Sequence, residues 1–203
     1  MERKFYDIDQ NSEEWFKLRI GLATSSNFAA IMANIPNAFG NPAHEYAMRI
    51  ALESTNQSPL ESFSNVWTEH GTEYEPMARE RYEQDNFVEV SNGGFYTLDK
   101  FGSSPDGLVG TDGLIEIKCP KWNTHFKLLV KGGYNTAYRW QIQGQLLITG
   151  RKWCDFVSFC EDFPEAHQLY THRIEASLTD QGDMIARLTE FNALIERYKS
   201  ILR

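Results

Sequence analysis

Apolar residues recur at helical spacing most clearly near the C-terminal end. Met184, Ile185, Leu188, Phe191, Leu194, Ile195, Tyr198, Ile201 and Leu202 fall along a helix over about 180–202, which Thr179 or Asp180 can cap. Shorter runs of the same spacing predict helices at about 25–33, 43–53, 72–84 and 136–149. Alternating or briefly continuous apolar runs predict strands at about 94–98, 106–110, 113–119, 154–160 and 168–174. Strands crowd the middle and helices occupy both ends. That pattern predicts an α/β (α+β) domain with a mixed central sheet flanked by helices. Loops are expected near 34–42, which holds Pro36, Gly40 and Pro42, and over the polar stretch 54–65.

With 203 residues the chain suits one domain spanning 1–203, with a sizeable core. No apolar run approaches the roughly 18–20 residues needed to span a membrane. The start, Met1-Glu2-Arg3-Lys4-Phe5, lacks the apolar core of a secretory signal. Cys119, Cys154 and Cys160 are an odd set without a C-x-x-C pair, which predicts reduced thiols in a cytoplasm and argues against a zinc knuckle or disulfide framework. The five histidines show no metal-binding spacing and are expected at the surface or satisfied by hydrogen bonds.

The net charge of −8 argues against nucleic acid, but its distribution does not. Residues 117–154 hold no Asp or Glu, and carry Lys118, Lys121, Lys127, Lys131, Arg139, Arg151 and Lys152. Trp122, Phe126, Tyr134, Tyr138, Trp140 and Trp153 interleave with them. A positive track with aromatic faces suits a phosphate backbone and its bases; a solvated face with core aromatics is the plain alternative.

Candidate chemistry concentrates in Ser103-Ser104-Pro105-Asp106-Gly107 and, nine residues on, Glu116-Ile117-Lys118-Cys119-Pro120. The turn Gly110-Thr111-Asp112-Gly113 between two apolar runs makes 106–118 a hairpin. Ile115 and Ile117 then face a core, while Glu116 and Lys118 share the other face and Asp106 comes opposite Glu116. Two carboxylates bind Mg²⁺, and a lysine beside them orients a water or neutralises developing charge. A bare E-x-K is usually a surface ion pair; the Pro-Asp-Gly partner and the apolar frame distinguish this one.

Ser104-Pro105-Asp106-Gly107 with Glu116-Ile117-Lys118-Cys119-Pro120 resembles the core of the lambda-exonuclease (YqaJ-type viral recombinase) family, whose fold is the PD-(D/E)xK restriction-endonuclease-like core. Three further segments resemble the family's motifs in order: Trp15-x-x-x-Arg19-x-Gly21-x-x-Thr24-x-Ser26, Gly71-x-x-x-Glu75 and Tyr138-x-x-Gln141-x-Gln143. The resemblance implies a Mg²⁺-dependent exonuclease that digests one strand of linear duplex DNA 5′ to 3′ and leaves 3′ overhangs for recombination. Two Mg²⁺ ions are implied, with Mn²⁺ able to substitute. It implies Asp106, Glu116 and the main-chain carbonyl of Ile117 as metal ligands, Glu75 at a second metal or its waters, Lys118 acting on the attacking water, and Gln141 at the site edge. Arg19, Ser26 and Ser104 would grip the terminal 5′-phosphate. Thr24-Ser25-Ser26, read as the N-terminus of the 25–33 helix, supports that grip independently, with simple capping as the alternative. Arg19 is expected to face solvent. Thr72-Glu73-Tyr74-Glu75 also fits a capping box, which would give Glu75 a structural role and put Pro76 in a first helical turn. Asp99 is the candidate for the family's additional strand acid, and Val66 or Trp67 for its strand-separating wedge. The resemblance further implies a homotrimeric ring around DNA, a single-strand annealing partner, and a phage or prophage origin in a bacterial cytoplasm. A restriction-like endonuclease would share the metal core, and a non-cleaving protein that holds DNA ends would have a broken one. A Cas4-like iron–sulfur nuclease is disfavoured because the chain lacks four cluster cysteines.

Overall fold

The structure is a computed structural model and describes the backbone of residues 2–60 and 66–203, and side chains except those of 1 and 61–72. The wedge candidates Val66 and Trp67, like Gly71, lie outside the residues whose surroundings the structure describes. In chain order the elements are β1 (Arg3–Tyr6), α1 (Glu13–Arg19), β2 (Ala23–Thr24), a 3₁₀ turn (Ser25–Asn27) running into α2 (Phe28–Met32), α3 (Asn41–Asn56), α4 (Val66–Asn86), β3 (Val90–Ser91), β4 (Phe95–Leu98), β5 (Phe101–Ser103), β6 (Gly107–Val109), β7 (Gly113–Lys118), α5 (Trp122–Lys131), a 3₁₀ turn (Thr136–Tyr138) leading into α6 (Arg139–Thr149), β8 (Trp153–Phe159), β9 (Leu169–Glu175) and α7 (Leu178–Ile201).

The architecture is the expected α+β arrangement, with the strands divided between two mixed sheets instead of one. The first has the order β1-β4-β5-β2 and the second β3-β6-β7-β8-β9. In each, one pair is parallel (β2 with β5, β7 with β8) and the rest are antiparallel. The parallel β7–β8 pair needs a long crossover, which α5 and α6 supply.

Strand β7 lies between two cores. Ile115 and Ile117 pack with Ala78 and Tyr82 of α4 and with Val157 and Phe159 of β8. Leu114, one position out of phase, joins Ile142 and Leu146 of α6 and the larger core reaching α2, α3 and α7. The sequence alternation thus decides which helix covers which face. Helix α6 sits close to the start of α2 because residue 144 is glycine: a Cβ there would lie 2.5 Å from the Phe28 ring.

Several boundaries differ from expectation. Helices α1 and α5 and strands β1, β2, β3 and β5 are additional; most are too short to show a period. The last helix is capped by Ser177, whose side chain accepts from Asp180 N–H, rather than by Thr179 or Asp180. Helix α4 begins at Val66, so Thr72 to Glu75 lie inside it and not at its start, where a capping box belongs. Pro76 likewise falls within α4, not in its first turn. Asp99 sits at the β4–β5 turn with φ 51°, and its carboxylate accepts from Glu2 N–H at 2.8 Å. It is therefore at the opposite end of the hairpin from Ser103.

Candidate active site

The segment Ser104-Pro105-Asp106 carries the chain from the first sheet to the second. Its path is tight: a Cβ at Gly93 would lie 1.8 Å from the Pro105 carbonyl oxygen, so only glycine fits there. The β6–β7 hairpin forms with Gly107 opposite Ile115 and Val109 opposite Gly113. Asp106 stands one residue before β6, where its N–H donates to the Ile115 carbonyl at 3.2 Å. Its Oδ2 accepts from Ile117 N–H at 2.6 Å. These two bonds fix the Asp106 carboxylate beside β7.

Glu116 is only 1% exposed. A carboxylate so buried must be paired or hydrogen-bonded. Its Oε1 accepts from Lys118 Nζ and, at 2.5 Å, from Gln141 Nε2. Its Oε2 accepts from Gln145 Nε2. Gln141 and Gln145 are one helical turn apart on α6 and so present both amides to one spot. Gln143, two residues from each, points elsewhere: its amide donates to the Glu175 carbonyl and accepts from Ser177 N–H, both at 2.9 Å. Gln145 was not singled out by its residue type; its i,i+4 spacing from Gln141 was the available signal.

The electrostatics follow from crowding. Burial, then Glu116 and Glu75, hold the Asp106 carboxyl well above the usual carboxylate range. Burial and then Glu116 raise Glu75 as well. Burial works against charge on Lys118, but Glu116 and Asp106 outweigh it and the ammonium is held more firmly than usual. The Cys119 thiol is pushed up to about 12 by burial, then by Glu75 and Asp106, so it offers no thiolate. Three mutually repelling carboxylates, offset by Lys118 and, at Glu75, also by Arg79, are a place where a cation relieves the strain of like charge. Among the described residues no three His, Cys, Asp or Glu side chains are grouped tightly enough to enclose a cation alone. The donor set, two hard carboxylates, instead fits Mg²⁺, which keeps several waters and takes one or two carboxylates.

Asp106, Glu116, Lys118 and Gln141 line a cavity of about 660 Å³ that Arg19, Ser26 and Ser104 also line. Arg19 is not freely solvent-facing: its guanidinium lies 3.9 Å over the Trp15 ring, and burial, then Arg49, lower its proton affinity against the pull of Tyr46 and Glu53. The Ser104 hydroxyl donates to the Gly94 carbonyl at 2.6 Å and accepts from Trp15 Nε1 at 3.0 Å. Ser104 thereby sets the ring on which Arg19 stacks. Ser26 is exposed, with Oγ 3.3 Å from Thr24 Oγ1. Ser25 is buried and bonds to Ser103 at 2.9 Å. The expected 25–33 helix opens as a 3₁₀ turn, and neither Thr24 nor Asn27 makes a side-chain cap. The side chains of Thr24 and Ser26 are thus not used in capping.

The basic track is only partly available. Arg139 is bound to Asp180, Lys152 to Asp112, and Arg151 to the carbonyls of Gly110 and Gly113. Lys127 and Lys131 stand exposed on α5 with Trp122 and Phe126. His125 is buried, its ring nitrogens at 2.8 Å from Ser158 Oγ and 2.9 Å from the His167 carbonyl, as a satisfied core histidine would be. All three cysteines are free. Among the described residues no helix is long and apolar enough to cross a membrane.

Residues 14–152 match the sequence profile of the YqaJ-like viral recombinase domain. The alkaline exonuclease LHK-Exo from Laribacter hongkongensis is 35% identical over 94% of this chain and 98% of its own, with a TM-score of 0.79. The LHK-Exo complex with dAMP gives 0.80 at the same identity and coverage. A phage related exonuclease from Haemophilus somnus 129PT shares the fold at a TM-score of 0.70, with 14% identity over 89% of this chain and 94% of its own. No curated protein sequence matches.

Proposed function

Because this chain belongs to the YqaJ-like viral recombinase family and is a DNA exonuclease, we propose that it digests one strand of linear duplex DNA from a 5′-phosphorylated end, 5′ to 3′ and with Mg²⁺. The product is a 3′ single-stranded overhang for phage-type recombination. Asp106, Glu116 and the Ile117 main-chain carbonyl would hold the cation, and Glu75 a second cation or its waters; Mn²⁺ would substitute. A bound cation supplies charge that polarises the scissile phosphate and makes water more acidic.

The chain's own residues do the rest. Lys118, held protonated by Glu116 and Asp106, orients the attacking water and offsets negative charge that develops on the phosphate. Gln141 borders the same space and restrains Glu116. Arg19, Ser26 and Ser104 receive the terminal 5′-phosphate, and Ser104 also fixes Trp15 beneath Arg19. Each cut leaves a new 5′-phosphate, so the same contacts keep the strand in register. Family membership further supports a homotrimeric ring, an annealing-protein partner, and a phage-encoded enzyme at work in bacterial cytoplasm.

The observation that carries this proposal is the shared cavity, with carboxylates and lysine beside Arg19, Ser26 and Ser104. The test is end-labelled linear duplex against closed circular duplex, each with Mg²⁺ or EDTA. Mg²⁺-dependent mononucleotide release from 5′-phosphorylated linear DNA alone is expected. Cutting of closed circles would establish an endonuclease instead, and release from 3′ ends would reverse the polarity.

A further inference from the structure

We infer that Gln145, which the family motifs do not single out, is a positioning residue for the Glu116 carboxylate; this rests on the proposed role of Glu116 as a cation ligand. A carboxylate offers about four lone-pair directions. Lys118 and Gln141 take two on Oε1, and Gln145 takes one on Oε2. One direction remains, on Oε2, and Glu116 lines the cavity. Gln145 thus fixes the orientation of the Glu116 carboxylate from its Oε2 side, while Oε1 stays beside the cavity-lining Lys118 and Gln141.

The orphaned half of the amide supports this. Gln145 is fully buried, yet among the described residues its Oε1 has no hydrogen-bond partner. Buried amides ordinarily satisfy both ends. Turning the amide over would set Oε1 against Glu116 Oε2, acceptor against acceptor, so the donor must face the carboxylate. A glutamine kept for its donor alone, at the cost of an unsatisfied oxygen, is serving Glu116 and not the core. Gln143 is the contrast on the same helix: both its ends are used to join α6 to the β9–α7 corner.

The test uses Gln145→Met, which fills the space without a donor, and Gln145→Asn, which keeps the amide but falls one methylene short. Each is measured for thermal stability, for kcat and KM on 5′-phosphorylated linear duplex, and for direct Mn²⁺ binding by electron paramagnetic resonance without DNA. Both folded variants should lose about 10-fold or more in Mn²⁺ affinity and in kcat, with KM for DNA within about twofold, as is usual when a ligand's hydrogen-bond partner is removed. Gln143→Met should lower the melting temperature with Mn²⁺ affinity unchanged. If Gln145→Met does not fold, Gln145→Asn carries the comparison alone. Wild-type Mn²⁺ affinity and kcat in the folded variants, or a change confined to melting temperature, overturns the inference. Glu116→Ala separates the two levels: full Mn²⁺ binding and activity there would overturn the role of Glu116 itself.

Discussion

Glu116 shows what a buried charge requires. Removing it from water is expensive, and three nitrogen donors plus Lys118's charge offset that cost. Asp106 is the counterpart, with one backbone donor and two carboxylates nearby. Asp106→Ala or Glu116→Ala should abolish cleavage, and a cooperative thermal transition should persist because β7 packs into the two cores through Leu114, Ile115 and Ile117. Substantial Mg²⁺-dependent activity in either variant would remove it from the metal site. Lys118→Ala removes a positive group that acts on both carboxylates. Its kcat should fall by about 100-fold or more with little change in DNA affinity. Rescue by high DNA concentration would make Lys118 a phosphate contact only.

At the scale of elements, helix ends carry much of the specification. Ser177 accepts from Asp180 N–H at 3.2 Å, and Ser177→Ala should cost about 1 kcal/mol in denaturant unfolding. Thr179→Ala should cost far less, since Thr179 does not cap. Asp180 also ties the start of α7 to α6 through Arg139, at 2.6 and 2.8 Å. That bond, against some opposing burial, holds the Asp180 carboxyl below its ordinary value. Its folded-state pKa is therefore depressed. The stabilisation is present above the unfolded value of about 4 and is lost as pH falls through the folded one. Asp180→Asn should be less stable than wild type at neutral pH, and the gap should close below about pH 4. A gap that stays constant with pH would show that the pair contributes nothing through charge. Because Arg139 is half exposed, the effect should be modest.

For the whole molecule, the consequential feature is that the proposed catalytic residues and the proposed 5′-phosphate contacts line one cavity at the junction of two sheets. Helix α1 and the first sheet bring Arg19, Ser26 and Ser104; the second sheet and α6 bring Asp106, Glu116, Lys118 and Gln141. Arg19→Ala should reduce the preference for 5′-phosphorylated over 5′-hydroxyl ends and shorten processive runs, read from initial rates on the two ends. Since Arg19 stacks on Trp15, a loss of about 0.5–1 kcal/mol in stability should accompany it. Equal end preference in variant and wild type would take Arg19 out of the phosphate pocket.

The local pattern alone determined the hairpin, the opposed faces of β7, the meeting of Asp106 with Glu116, and α6 and α7 as helices. Each depends on residues close in sequence, where period and turn chemistry act directly. It also carried the family's motifs, hence the class of enzyme. It did not determine the split into two sheets, the start of α4 at Val66, the short strands, or the half-burial of Arg19. Those depend on which distant surfaces meet. The capping box at Thr72 looked complete locally, but α4 continues upstream of it. Thr24 and Ser26 looked like caps, yet the backbone enters as a 3₁₀ turn and leaves the two hydroxyls beside each other, with that of Thr24 also against the Tyr46 hydroxyl. Gln145 was the most hidden. Its i,i+4 spacing from Gln141 puts the two amides on one helix face, but only the packing of α6 against β7 brings that face to Glu116.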